Sequence, residues 1–343
     1  MKNNKILNAI LRTSLVVVMS ITTTLASAKI VVMGGNPAGS LFYTQAQVLA
    51  STISRYTGYR VDVLPQSGSV FFPMFMTKEV DFGIASPVEA KLAYDAKAPF
   101  EGANGGKGYD MRTLMLGSIN RLSLVTRESD NIKTIGDLRG LRVVADYGAF
   151  AGATKTALAA LANAGLTTND IKIVRVSSYP EGVRAVMEGR ADAAVGSVGS
   201  GILQELEAQS GARLLPIDPS PEAMARSHEL GAAFVVYRAN AGPIGLKVDT
   251  DVLSYQTTLY ARSDMDDKDI KKSMAVLWDH ANELPAITRT LSTWKRSRYA
   301  NTDAVIPFHP AAIEFYREKG VWTDELEAHQ QQLLKARQQR IDN

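Results

Sequence analysis

The sequence predicts an α/β protein built as two similar lobes facing one another, and three observations carry that prediction. Lys29 to Ala50 (KIVVMGGNPAGSLFYTQAQVLA) reads as a buried strand over Ile30 to Met33, a turn of small residues from Gly34 to Ser40, and a helix opening near Leu41. Leu141 to Gly165 repeats the plan, with a strand, a turn holding Gly148 and Gly152, and an Ala-rich helix. Met76 to Pro87 (MTKEVDFGIASP) matches Met187 to Val198 (MEGRADAAVGSV) at one constant offset, which sets Asp81 on Asp192, Ile84 on Val195 and Ser86 on Ser197. Two copies of one α/β plan suggest two lobes with a cleft between them. A helix start leaves backbone N–H groups unpaired and partly positive, and Gly34, Gly35 and Gly39 let a ligand approach that backbone, so the first turn is a possible anion cradle.

The N-terminus is expected to be a leader rather than part of the fold. Lys2, Lys5 and Arg12 make a basic start, an apolar stretch runs from Leu15 to Leu25, and Ala26-Ser27-Ala28 fits a small-residue cleavage site. The apolar run falls short of the roughly 20 residues that a membrane span needs. The chain has no cysteine, which excludes a disulfide framework, a thiolate site and a lipid-anchored cysteine after the leader. The mature chain is therefore expected to start at Lys29, free in the periplasm. Removing the three basic residues turns the formal charge of +3 into zero, so the basic balance says nothing about nucleic acid, and no Lys/Arg run with interleaved aromatics occurs.

Taken in order, Tyr59 to Leu64 alternates as a second strand and leads into a polar turn at Ser67, Gly68 and Ser69. The apolar group after it reads as an amphipathic helix with Phe75 and Met76 packed inward, while Phe71 or Phe72, nearer the turn, could line the cleft. Asp81 to Pro87 is a strand and loop, followed by a helix on which Glu89 is expected to face solvent. Pro99 to Tyr109 is Gly-rich and reads as a surface excursion. Met111 to Glu128 reads as two strands with a break near Ser118 to Arg121, a plausible crossing between lobes. The second lobe adds a strand at Ile171 to Val176, a helix at Glu181 to Glu188, and a further helix-start cradle at Gly199 to Gly201. Val252 to Arg262 is strand-like, and the pattern from Asp266 onward is helical, wrapping back onto the first lobe. The expected division is a leader over 1–28, a first lobe over 29–124, a second over 125–240, and a return to the first lobe with C-terminal helices over 241–343.

Catalytic motifs are absent from the sequence. The four histidines (His228, His280, His309, His329) show no metal-ligand spacing, and no GxSxG, P-loop or GxGxxG pattern occurs. His309, ahead of Pro310, reads as a helix cap. The polar groups left are loop hydroxyls, amides and backbone N–H groups, the parts of a recognition site. Arg121, at the expected crossing, could grip a carboxylate in a bidentate contact or serve as a surface or interlobe ion-pair residue. Thr154 can cap its helix or touch ligand.

The motifs GGNPAGSLFY, QSGSV, VDFGIAS, IKTIGDLRGLRVV, YGAFAGAT and EGRADAAV, with the late segment HPAAIEFYREKGVW, resemble the TAXI family, the solute receptors of TRAP-type transporters. The resemblance covers nearly all of the mature chain. It implies a two-lobe periplasmic binding protein fold of type II, with a hinge of crossing strands and a ligand cleft between the lobes. It further implies a monomer that delivers a small organic anion to integral membrane TRAP permease subunits driven by a sodium gradient, with no cofactor, no metal and no catalysis. By position, ligand contacts would come from Asn36, Gly39, Ser40 and Phe42, then Ser67 and Ser69, then Ser86. In the other lobe they would come from Tyr147, Ala149, Gly152, Ala153 and Thr154. The matched Ser197 and the crossing Arg121 are also expected at the cleft. Three departures stand out: Phe42-Tyr43 replaces a Tyr pair, Phe72 occupies the position of an amide, and Ala151 to Thr154 (AGAT) replaces GSGT. Each makes the cleft less polar, which points to an anion with a substantial apolar or aromatic body in place of glutamate. A ligand-sensing partner of a membrane sensor and an enzyme on the same scaffold are the alternatives.

Overall fold

The computed structural model describes residues 28–342, so the leader expected at 1–28 lies outside the described residues apart from Ala28. The first strand, β1 (Ile30–Gly34), leads into α1 (Leu41–Thr57). Ser40 caps that helix by accepting a hydrogen bond from the Tyr43 N–H at 3.1 Å, and Gly58 ends it in the left-handed region. There follow β2 (Arg60–Leu64), α2 (Gly68–Met76), β3 (Phe82–Ala85) and α3 (Pro87–Tyr94). β1 pairs in parallel with both β2 and β3, as right-handed βαβ units require.

The second lobe repeats this arrangement with β5 (Arg142–Asp146), α4 (Ala151–Asn163), β6 (Lys172–Arg175), α5 (Tyr179–Met187), β7 (Ala194–Ser197) and α6 (Gly201–Ser210). β5 and β6 are parallel, and an isolated parallel bridge between Val143 and Ala193 ties β5 to the start of β7. The matched aspartates make the same clasp in both copies. Asp81 donates its N–H to the Val32 carbonyl (2.9 Å) and accepts the Val32 N–H on its carboxylate (3.0 Å). Asp192 donates its N–H to the Arg142 carbonyl (2.7 Å) and accepts the Arg142 N–H (2.8 Å). Arg262 supports the first carboxylate at 3.2 Å and the Arg142 guanidinium the second at 2.6 Å.

Two long strands join the lobes, β4 (Met111–Arg127) and β10 (Thr250–Arg262), antiparallel to each other along most of their length. The far half of β10 pairs with β3, and its near half with β9 (Val235–Ala239). The far half of β4 pairs with β7 and with β8 (Ala212–Leu214). One sheet of order β2-β1-β3-β10-β4-β7 thus runs through both lobes. Between β8 and β9 stands α7 (Pro221–His228). After β10 the chain returns to the first lobe through α8 (Asp267–Asp279), α9 (Leu284–Ile287), α10 (Pro310–Glu318) and α11 (Asp324–Asp342), with α8 packed against α1 and α10. His309 caps α10, accepting the Ala311 N–H at 3.2 Å. Among the described residues no helix is long and apolar enough to cross a membrane.

Three expectations are corrected. Met111 to Arg127 is one strand rather than two: β10 pairs with Ile119 to Leu122 and again with Leu116 and Met115, and only a register shift marks Gly117 and Ser118, opposite Thr257, with a second shift between Met115 and Thr113. Phe75 is buried, but Met76 is 42% exposed, because it ends α2 as the chain leaves the core. Glu89 does not face solvent; it is fully buried.

Asp81→Ala and Asp192→Ala each leave a strand N–H without its partner and take one acceptor from an arginine, which keeps Asp264 or the Gly189 carbonyl, and each should cost about 1–3 kcal/mol in urea unfolding at pH 7. The Asp192 carboxyl is held below the ordinary range chiefly by its bond to the Arg142 guanidinium. Its contribution is therefore present above the usual carboxylate pKa and lost as pH falls through the lowered one, so the deficit of Asp192→Ala should shrink in acid.

Candidate functional site

Between the lobes lies a small enclosed cavity of about 20 Å³, the room of one or two waters. The first lobe lines it with Ser40, Leu41, Phe42 and Ser86, and the long strands with Asn120, Leu122 and Tyr255. The second lobe supplies Phe150, Gly152, Ala153, Thr156, Tyr179, Val195 and Ser197. None of these side chains is ionisable near neutral pH, and burial pushes the Tyr179 hydroxyl up to about 12 and raises that of Tyr255.

Four of the lining residues stand at helix starts. Ser40 caps α1, Ser86 caps α3, Phe150 precedes α4 and Tyr179 opens α5. Four partly positive helix ends therefore point into one uncharged, desolvated space. No side chain caps α4 or α5; the Ala153 N–H of α4 bonds the Phe150 carbonyl at 3.1 Å and Pro180 of α5 has no N–H, so the N–H groups of Gly152 and Tyr179 are the ones at the cavity wall. The arrangement suits an anion with an apolar body.

A chain of hydrogen bonds crosses the floor of the cavity. Ser197 Oγ donates to Asn120 Oδ1 at 2.6 Å, and Asn120 Nδ2 donates to the Tyr255 hydroxyl at 3.1 Å. The Tyr255 hydroxyl lies beside Ser86 of the first lobe. The Tyr179 hydroxyl accepts the Ser197 N–H at 3.0 Å and lies 2.9 Å from Ser200 Oγ. Two further bonds close the lobes on each other: Ser67 Oγ donates to the Ala149 carbonyl at 3.2 Å, and the Ile202 N–H donates to the Gly39 carbonyl at 3.3 Å.

Of the residues expected from sequence, Ser40, Phe42, Ser86, Gly152, Ala153 and Ser197 line the cavity. Gly39, Ser67 and Ala149 sit at the contact between lobes. Asn36 donates to the Ile84 carbonyl at 2.9 Å inside the first lobe, and Ser69 bonds Glu89 at 3.2 Å. Phe72 packs edge-on against Phe71, ring centres 4.7 Å apart, in the core. Tyr147 accepts the Val195 N–H at 2.6 Å within the second lobe, and Thr154, inside α4, accepts the Tyr147 N–H at 3.0 Å, which ties the preceding turn to the helix without capping it.

Arg121 is on the opposite face of the sheet. Successive side chains of a strand alternate, so with Asn120 and Leu122 in the cavity Arg121 points behind it, 6.0 Å from the Tyr237 ring. Tyr237 lines a second space of about 430 Å³ behind the crossing strands, with Ser254, Gln256 and Asp303.

Sequence reasoning missed Asn120, Tyr255 and Tyr179 as lining residues, while Phe150 falls within the expected Tyr147 to Thr154 stretch. Alternation along β4 and β10 could have grouped Asn120 with Leu122, but no local pattern tells which face of a fully buried strand meets the cleft.

A model of the NMT1-like family matches residues 33–320. Among solved structures, the chain is similar to a binding protein component of an ABC phosphonate transporter from Pseudomonas aeruginosa. That match has 13% identity over 92% of this chain and 97% of the other, with a TM-score of 0.51, a likeness of fold. It also matches the periplasmic aliphatic sulphonate binding protein from Escherichia coli (17% identity, 89% and 90% covered, TM-score 0.45). A third match is the substrate binding protein of an amino acid ABC transporter (12% identity, 76% and 98% covered, TM-score 0.46).

Asn120→Ala should destabilise the folded chain by about 1–3 kcal/mol in urea unfolding, because Ser197 Oγ and the Tyr255 hydroxyl are then buried without their partner. Arg121→Ala, on the other face, should leave that network intact and cost under about 0.5 kcal/mol.

Proposed function

The chain belongs to the NMT1-like family, and on that premise we propose that it is an extracytoplasmic receptor which closes its two lobes on a small organic anion. The observation that carries this reading is the convergence of four helix starts on one cavity without a charged side chain. Such a site stabilises an anion through backbone dipoles. Phe42, Phe150, Tyr179 and Tyr255 offer apolar and aromatic surface beside those dipoles, which supports a carboxylate with an apolar or aromatic body. The cavity is too small for such a solute, so the lobes must part to admit it and close again over a wider gap, with Gly39, Ser67, Ala149 and Ile202 as the contacts that break and re-form.

The finer reading, a TAXI-type receptor free in the periplasm that hands its solute to a TRAP permease, rests on the sequence motifs. A receptor whose closed state differs in free energy from the open one when solute is bound gives a membrane partner something to read. A sensor partner would use the same site. An enzyme on this scaffold could work through Glu89 and Ser69, a carboxyl–hydroxyl pair at the lobe contact.

A thermal-shift screen of residues 29–343 against succinate, glutamate, phenylacetate and branched 2-oxo acids tests the proposal. An anion held by the folded chain alone should add about 2.7 kcal/mol at 100 times its Kd. The expected result is a saturable shift with an apolar or aromatic acid and recovery of the acid unchanged. A chemically altered acid would make the chain an enzyme, and tighter binding of glutamate than of any apolar acid would refute the preference. Uptake into vesicles holding the permease should follow a sodium gradient and not ATP.

A further inference from the structure

Glu89 stands in the first turn of α3, and no part of it reaches solvent. One carboxyl oxygen, Oε1, accepts the Ser69 hydroxyl at 3.2 Å; the other, Oε2, has no partner. The carboxyl is held between the lobes. On the first-lobe side, a Cβ at Gly68 would lie 2.9 Å from Oε2. On the second-lobe side, a Cβ at Gly152 would lie 3.4 Å from Oε2 and 3.3 Å from the Glu89 Cβ. Glycine at 152 is thus what allows α4 to come down on this carboxyl, and Gly152 is itself part of the cavity wall.

No charge balances the group. α2 presents Ser69 and no ionisable residue to it. β10 presents Tyr255, whose hydroxyl stays neutral. On α3 itself, Lys91 is turned to Asp95, and among the described residues no ion pair joins Lys155 of α4 to the carboxyl. An ionised carboxylate left here would keep one oxygen desolvated and unpaired, so the neutral acid is the form that fits. Burial lifts its pKa from 4.5 to about 8, against the pull of the Ser69 hydroxyl and N–H.

We propose that Glu89 is the specificity residue of the cleft: closing the lobes on an anion buries it as the neutral acid, so that capture takes up one proton, and its free oxygen carries that proton toward the anion. This rests on the receptor reading. In the open form α4 withdraws, water reaches the carboxyl and it ionises at an ordinary value. Closure is then favoured most below the open-form value near 4.5, loses ground as pH rises from there, and reaches its full handicap once pH passes the closed-form value near 8. Had the group been ionised in both forms, it would repel the anion at every pH.

The test repeats the thermal-shift titrations with succinate, glutamate and phenylacetate at pH 5.5, 7 and 9 on the wild-type chain, Glu89→Gln and Glu89→Leu. For any acid that binds, wild-type affinity should fall by up to tenfold for each pH unit between about 5 and 8 and level off above. Glu89→Gln, a neutral donor of the same shape, should bind with no such dependence, and Glu89→Leu should bind weakly at every pH while still folding. A wild-type affinity independent of pH, or a slope retained in Glu89→Gln, overturns the inference and leaves the receptor reading standing. If none of the three acids binds at any pH, the receptor reading is what fails. With a binding acid at saturation, the ¹³C titration of the Glu89 carboxyl, identified by its loss in Glu89→Gln, should have its midpoint near 8, and a midpoint near 4.5 overturns the inference.

Discussion

The antiparallel pairing of β4 with β10 is the constraint on which the rest of the structure depends. Each strand is long enough to serve both lobes, so the hydrogen-bond ladder that holds one lobe's edge also fixes the other's. Strand alternation then divides function between two faces. Asn120 and Leu122 go to the cleft and Arg121 goes behind it, while Tyr255 borders both spaces. A slip of one residue would exchange the two sets and bring a guanidinium into a cavity that has no charge.

On that frame each lobe is set by the same device. An aspartate ahead of the central strand binds both the N–H and, through its own N–H, the carbonyl of one residue in the neighbouring strand, with an arginine on its outer oxygen. The clasp fixes where β3 and β7 start, and so where Ser86 and Ser197 end up. Both serines reach the same cavity from opposite lobes; Ser197 joins the hydrogen-bond chain through Asn120, and Ser86 lies beside its Tyr255 end. The repeat in sequence is thus a repeat of mechanism: the same local solution places two hydroxyls on either side of a shared floor.

The electrostatics of the closed cleft come from backbone and burial rather than from ion pairs. Helix starts supply the positive potential, while the single buried carboxyl at the lobe contact stays neutral for want of a partner. This balance exists only while water is excluded.

Much of this was legible in the sequence because it is local. The strand, glycine turn and helix around Gly39, its copy around Gly152, and the matched pair Asp81 and Asp192 are written in short-range spacing, and they determine two α/β lobes and the serines that end β3 and β7. What the sequence could not settle are relations between distant segments. Asn120 and Arg121 are adjacent and both polar; pairing with β10 alone decides which one meets the cleft. Phe72 reads as a possible cleft residue until Phe71 and Phe75 enclose it in the core. Glu89 reads as a solvated helix residue, because a glutamate in a first turn usually is one, until α2 and α4 cover it from two lobes. Local pattern fixes the elements, whereas the face, burial and protonation of a side chain belong to whatever packs against it from elsewhere in the chain.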